Sequence, residues 1–120
     1  MAPVLLIHWN WSETIDLAVD IQSHGWDVIT ESEDGVRAVQ IALERPPCAV
    51  AISLDLAPKH GRDVALALAD TEEGASVPVV FFGGDDRTHR RLRKVLPDAL
   101  IVSRAELAGS LSSLSVGQAK

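Results

Sequence analysis

The segment AISLDLAPKHG, residues 51–61, places a serine and an aspartate two positions apart at the end of an apolar run. Ser53 offers a hydroxyl and Asp55 a carboxylate, both of which serve proteins as nucleophiles. A serine hydroxyl needs an adjacent base to react, and the sequence supplies none reliably. The segment is therefore interpreted either as the rim of an active site or as the remnant of one.

Two histidines could join Asp55 in a metal site. His8 and His60 would supply nitrogen ligands that suit zinc, but no closely spaced pair fixes such a geometry, which favours ordinary rim residues. Cys48 follows two prolines with no neighbouring charge to lower the pKa of its thiol. This context favours an inert buried cysteine over a redox site.

A basic segment, DDRTHRRLRKVL, concentrates positive charge in residues 85–96 of an acidic chain. On a helix, Leu92, Val95 and Leu96 would face the core and the basic side chains would face solvent. The segment is either a solvated helix face or a docking surface for an acidic protein partner, with an anionic nucleotide or lipid as weaker options. The candidate docking residues are Arg87, Arg90, Arg91, Lys94 and Arg104.

The elements that must position these residues follow from apolar runs and breaks. Strands are predicted at 4–7, 26–30, 49–54, 77–82 and 99–102. Helices are predicted at about 10–23, from 35 to the residue before Pro46, from 63 to 68, at the basic segment and near the C-terminus, with TEEGAS as a break. Strands that alternate with helices require right-handed crossovers, so we expect a doubly wound parallel α/β sheet. Its functional groups should lie at the carboxyl ends of the strands.

Two local patterns add detail to the helices. Asn10 followed by Glu13 resembles a capping box, in which Asn accepts from the first-turn amides and Glu reaches back. Near-helical spacing predicts one apolar face on the first helix, formed by Ile15, Ala18, Val19 and Ile21 or Gln22, and one on the second, formed by Val36, Val39, Ala42 and Leu43.

Four stretches of sequence resemble the receiver domain of bacterial response regulators, over residues 3 to about 115. They are VLLIHWN, HGWDVITESEDGVRAV, ERPPCAVAISLDL and VPVVFFGG. The resemblance implies one flavodoxin-like domain, a five-stranded parallel sheet in the order 2-1-3-4-5, with residues 116–120 as a tail. In that family, an aspartate nucleophile, two acids that hold Mg²⁺, a hydroxyl and a lysine form the phosphorylation site.

The resemblance places each of those functions on a residue that lacks the family's chemical group. The acidic pair corresponds to His8 and Trp9, the hydroxyl to Gly83 and the lysine to Val102. Counting back from Gly61 by the family's usual distance places the nucleophile at Ser53, and choosing Asp55 instead requires a two-residue deletion. Trp9 could fill the pocket where metal and water would sit, or pack on the first helix as a rim residue.

These departures predict a degenerate receiver that keeps the fold, has no enzymatic activity, needs no cofactor and binds a protein partner. The alternatives are a phosphoacceptor that uses Asp55 with Mg²⁺, and a small-ligand sensor with a pocket near Trp9; a homodimer is a further candidate assembly. The net charge of −6 makes nucleic acid a poor partner. With one cysteine, no basic leader and no apolar run of membrane-spanning length, we expect a cytoplasmic protein without a membrane span.

Overall fold

In the computed structural model, which describes the backbone of residues 2–118 and the side chains of residues 2–113, strands alternate with helices. The strands are β1 (Val4–Ile7), β2 (Val28–Glu31), β3 (Ala49–Ser53), β4 (Val79–Phe82) and β5 (Leu100–Val102). The helices are α1 (Trp11–Ser23), α2 (Gly35–Glu44), α3 (Pro58–Ala69), α4 (Glu72–Ala75), α5 (Asp86–Val95) and α6 (Leu107–Gln118), and a 3-10 turn covers Arg104–Glu106. No helix within residues 2–118 is long and apolar enough to cross a bilayer.

The five strands form one parallel sheet in the order β2-β1-β3-β4-β5, which confirms the predicted topology. Its register aligns Ile7, Ile52, Phe81 and Ile101 in one row across four strands. Because this row lies near the end of each strand, the loops that follow β1, β3, β4 and β5 meet at a single edge. The candidate residues of the sequence analysis are concentrated at that edge.

Side chains on successive strand positions point to opposite faces of the sheet, and helices cover both faces. Leu5 and Ile7 pack with residues of α2, α3 and α5, whereas Val4 and Leu6 pack with residues of α1 and α6. Every residue of β1 and β3 is buried. Burial on both faces explains why the strands read as continuous apolar runs.

α1 buries only part of its predicted apolar face: Ile21 faces the sheet as expected, whereas Ile15 and Val19 do not. Its buried residues are Thr14, Leu17 and Ile21, while Ile15 and Val19 are 46% and 59% exposed. Two apolar rows run side by side along this helix, so periodicity alone does not select between them. The buried hydroxyl of Thr14 donates to backbone carbonyls at the end of β1 and the start of α1, which fixes the rotation of the helix.

The inward face of α2 is also narrower than predicted. Of the predicted residues, Ala42 is buried, together with Ala38, whereas Val36 is 68% exposed. Because alanine side chains are small, α2 packs closely on the sheet at these two positions. Val36, at the start of the helix, stays at the surface.

α3 begins at Pro58, five residues before the predicted start, because proline is well suited to the first turn of a helix. Gly61 lets this early turn lie against β3, since a Cβ there would come within 2.7 Å of Ile52 Cγ2 and 2.9 Å of the Ser53 carbonyl oxygen. The TEEGAS segment ends α3 as expected but forms the short helix α4. The close approach at Gly61 therefore places the start of α3 beside the edge where the strand-end loops meet, which we call the functional edge.

Candidate functional site

Asp55 lies at the end of β3 and turns toward the loop that follows β4. Its backbone amide donates to Ser53 Oγ at 3.1 Å, which fixes the turn. Its carboxylate accepts from the Gly84 amide at 2.9 Å and from Arg104 Nη2 at 2.7 Å. Ser53 is fully buried, so its hydroxyl supports the turn and Asp55 is the residue that presents a reactive group at the edge.

The two glycines after β4 make room for this carboxylate. Gly83 and Gly84 adopt φ angles of +76° and +78°, which favour glycine. A Cβ on Gly83 would lie 2.4 Å from Asp55 Oδ2. The carboxylate therefore occupies the space that a serine or threonine would need at position 83, where the family resemblance expects a hydroxyl.

Arg104 joins two carboxylates that come from different loops. Its Nη2 atom lies 2.7 Å from Asp55 Oδ2, and its Nη1 atom forms an ion pair with Glu13 Oε1. The 3-10 turn that carries Arg104 is fixed by a capping box between Ser103 and Glu106, at 3.1 and 3.2 Å. A guanidinium group can contact two carboxylates at once because its donors form a rigid fork.

Position 102 does not supply the cation of this site. Val102, where the resemblance expects a lysine, packs against the core on the α1 and α6 side. Arg104 was expected on the partner-binding surface, but its guanidinium pairs with Asp55 and Glu13 instead. Its positive charge is therefore neutralised within the site.

Glu13 also connects the site to His8. Glu13 Oε2 lies 3.2 Å from His8 Nε2, and the carboxylate is directed to His8 and Arg104. Half of the predicted capping box is present: the Glu13 amide donates to Asn10 Oδ1 at 3.3 Å. The Asn10 amide does not donate to the Glu13 side chain, whose oxygens face His8 and Arg104 instead. The His8 ring is fully buried and packs edge-on against Phe82, with the ring centroids 5.6 Å apart.

The protonation states follow from these contacts. Partial burial raises the pKa of Asp55, but the bonds from the Gly84 amide and the Arg104 guanidinium outweigh it, so this pKa lies below its ordinary value. Burial is the main influence on His8 and lowers its pKa, although Glu13 opposes the change. At neutral pH Asp55 is therefore ionised and the His8 imidazole is neutral.

Trp9 lies on the opposite face of β1 from His8 and covers the ends of β1 and β3. Its indole packs on the core shared with α2 and α3 and meets the His60 ring edge-on, with centroids 5.7 Å apart. A Cβ on Gly35 would lie 4.0 Å from it. Trp9 is therefore a rim residue, as the second of its two predicted roles proposed. It packs on α2 and α3, however, and not on the first helix.

The suggested zinc site is not assembled. Among the described residues, no three His, Cys, Asp or Glu side chains lie close enough to hold a metal ion. His8 faces the α1 side with Phe82, whereas His60 faces the α3 side with Trp9. Cys48 is half-buried, and burial raises the pKa of its thiol, so it is protonated at neutral pH.

The site does not fit the magnesium ion that receiver phosphorylation requires. Mg²⁺ favours octahedral coordination by oxygen atoms. His8 and Trp9 stand at the positions of the acidic pair and offer an inward-facing imidazole and an indole. Each of the four carboxylate oxygens of Asp55 and Glu13 already has a donor from this chain.

The basic helix α5 exposes its charge to solvent. None of its five basic residues pairs with an acidic side chain that the structure describes; they are Arg87, Arg90, Arg91, Arg93 and Lys94. Leu92 is the buried residue of α5, while Val95, expected to face inward, is 47% exposed. His89 Nε2 donates to the Gly83 carbonyl at 2.7 Å and ties the helix to the site.

A cavity of about 480 Å³ lies between α2 and α3, close to Trp9. His60 forms part of its wall, and Trp9 packs against that histidine. Its polar lining includes the acidic residues Glu33, Asp34 and Asp63. An acidic cavity favours cations, so it does not favour an anionic ligand for a small-ligand sensor near Trp9.

Sequence reasoning missed Glu13 and His89 as site residues. Both lie in the first turn of a helix that follows a strand ending at the functional edge. A side chain at such a position can reach back to the strand end, and this topological relation is the signal that could have identified them. Glu13 was assigned to helix capping alone, and His89 was not distinguished within the basic segment.

Comparison with known proteins identifies the fold. No protein-family model matches the sequence, and no curated protein is detectably similar to it. Among solved structures, the chemotaxis protein CheY4 of Vibrio cholerae matches with a TM-score of 0.78 and 16% identity, over 95% of this chain and 98% of its own.

Two further receiver domains match over a similar extent. That of a sensor histidine kinase from Pseudomonas aeruginosa PAO1, solved with magnesium in its active-site cleft, has a TM-score of 0.79 and 20% identity, over 95% of this chain and 97% of its own. That of a modulated diguanylate cyclase from Desulfovibrio desulfuricans G20 has a TM-score of 0.74 and 21% identity, over 98% and 96%. The chain therefore has the receiver fold, and at these identities the likeness extends to the fold alone.

Proposed function

We propose that this chain is a degenerate receiver that acts as a phosphorylation-independent protein-interaction module. The observation that carries the proposal is the Arg104 bridge between Asp55 and Glu13. A fixed guanidinium group stands where receiver chemistry would require a metal ion and an incoming phosphoryl group. The site thereby becomes a structural element that connects the loops after β1, β3, β4 and β5.

Phosphoryl transfer to Asp55 is the rival function, and the local chemistry argues against it. Transfer requires a free carboxylate oxygen and cations aimed at the oxygens of the phosphoryl group. Both oxygens of Asp55 accept hydrogen bonds, and the nearest cation is neutralised by two carboxylates. The hydroxyl position, residue 83, is a glycine whose space Asp55 fills.

The partner-binding surface is α5, and the partner is a protein with an acidic surface. Arg87, Arg90, Arg91 and Lys94 lie on one exposed helix of an acidic chain and form no ion pair with the acidic side chains of residues 2–113. Such a charge pattern attracts an oppositely charged partner and selects against others. A second copy of this chain is the alternative occupant of this surface.

Charge reversal tests the surface. In a pull-down from a lysate of the native host, Arg90→Glu with Arg91→Glu should reduce capture of the wild-type partner by about tenfold or more, because rim charges control association. Arg37→Glu with Arg45→Glu makes the same change in net charge on α2 and should leave capture intact. Asp55→Asn should also retain the partner. Unchanged capture by the Arg90/Arg91 variant would contradict the surface assignment.

A further inference from the structure

A groove between the first turn of α3 and α5 combines an apolar floor with a basic rim. Its volume is about 160 Å³. Leu54 and Leu92, each 2% exposed, form the floor. The rest of the lining comes from Pro58, Lys59, Arg62, Thr88 and Arg91.

The three cations of this rim have little to neutralise them. Lys59 and Arg91 form no ion pair with the acidic side chains that the structure describes. Among the described acidic side chains, Arg62 pairs only with its neighbour Asp63, at 3.7 Å, and an ion pair this exposed contributes little. Three like charges around one small groove repel each other, so an anionic occupant would relieve that repulsion.

We infer that this groove binds an acidic segment of the protein partner, with one aliphatic side chain on the floor and carboxylates on the rim. The inference rests on the proposed function and adds α3 to the partner surface. The groove has about the volume of one aliphatic side chain, and an apolar centre within a polar rim is the usual anatomy of a protein–protein interface. A flat lipid surface could not enter so narrow a groove, and the net charge of −6 disfavours nucleic acid.

The test uses a fluorescent Glu-rich peptide with one central Leu and, as its match, the same peptide with Ser in place of Leu. Fluorescence anisotropy at low salt should give saturable binding of the Leu peptide to wild-type protein and weaker binding of the Ser peptide. Lys59→Glu with Arg62→Glu should raise the dissociation constant by about tenfold or more. Arg37→Glu with Arg45→Glu, two reversals outside both the groove and α5, should have a much smaller effect.

Several results would overturn the inference and leave the proposed function separately testable. If Lys59→Glu with Arg62→Glu binds the peptide normally while Arg90→Glu with Arg91→Glu does not, the groove fails and the α5 surface stands. If Lys59→Glu with Arg62→Glu and the control pair weaken peptide binding equally, the peptide is held by general charge attraction and not by the groove. The inference would also be contradicted if the wild-type protein did not bind the Leu peptide. It would likewise be contradicted if the protein formed a dimer that Lys59→Glu with Arg62→Glu dissociated.

Discussion

Arg104 is the residue on which the chemistry of this edge depends. A divalent metal accepts ligands from several directions and can exchange them, whereas a guanidinium is a planar, permanently charged group with donors only. Its two contacts to Asp55 and Glu13 hold the carboxylates in place and offer no open coordination position. In the proposed function, this difference is what makes the edge a structural ion-pair network and not a phosphorylation site.

Replacing Arg104 should reveal that network through its pH dependence. The pKa of Asp55 is lower in the folded chain than in the unfolded one. Its contribution to stability is therefore present above the unfolded pKa, about 3.9, and is lost as the pH falls through the folded pKa. Arg104→Met should lower the free energy of unfolding by about 1 kcal/mol at pH 7. The difference from wild type should shrink at acidic pH.

Urea denaturation at pH 7 and at pH 3 measures this effect. Arg37→Met is the matched control, because the exposed Arg37 forms an ion pair with the buried Glu31 at 3.4 Å outside the site. A loss in Arg104→Met that is the same at both pH values would mean that only the aliphatic stem of Arg104 contributes, and the network would then carry no stabilising charge interaction.

The orientation of the Asp55 side chain could not be predicted from the sequence around it. The pattern placed Ser53 and Asp55 at a strand end, which the structure confirms. It did not indicate that Asp55 would lie against Gly83, because that contact joins loops 28 residues apart and depends on two positive φ angles. The cation for Asp55 comes from Arg104, 49 residues away along the chain.

At the scale of elements, α5 is attached to the domain by few contacts. Leu92 is its buried residue, and the bond from His89 to the Gly83 carbonyl holds its first half against the site. A helix with so little buried surface should open more readily than the central strands. The hydrogen bond of His89 therefore links the site to the proposed partner surface.

Removing that histidine should loosen α5 selectively. One hydrogen bond contributes about 1 kcal/mol, so His89→Ala should speed amide exchange in α5 by about fivefold. Exchange in β1 and β3 should not change. His24→Ala is the control, because His24 Nδ1 lies 2.9 Å from the Asp20 carbonyl oxygen outside the site. Unchanged exchange in α5, or equal acceleration throughout the sheet, would contradict this role for His89.

Helix positions were predictable, whereas helix faces were predicted only in part: Ile21 and Leu92 are buried as expected, and Ile15, Val19 and Val95 are not. The cap at Asn10 and the end near Ser23 were confirmed for α1, since both depend on local chemistry. The choice between Ile15 with Val19 and Leu17 with Ile21 depends on which row the sheet and α6 can accept. That information is tertiary, and the buried Thr14 hydroxyl, which a hydrophobic pattern ignores, helps to decide it.

At the scale of the whole molecule, charge is segregated. Five basic residues on α5 and two in the first turn of α3 account for seven of the eleven Lys and Arg residues, in a chain with 17 acidic residues. The fold could be predicted from the alternation of apolar runs and helices, because topology rules leave few arrangements. The identity of the site could not, because it depends on contacts between four loops.

The central claim is that this edge is closed to metal and phosphoryl groups, and one titration tests it most directly. Amide chemical shifts of the whole domain are followed as Mg²⁺ and then beryllofluoride, a phosphoryl stand-in, are added. The account predicts no saturable change at Asp55, Gly83, Gly84 or Arg104. Saturable shifts centred on Asp55 would contradict it and make this chain a phosphoacceptor.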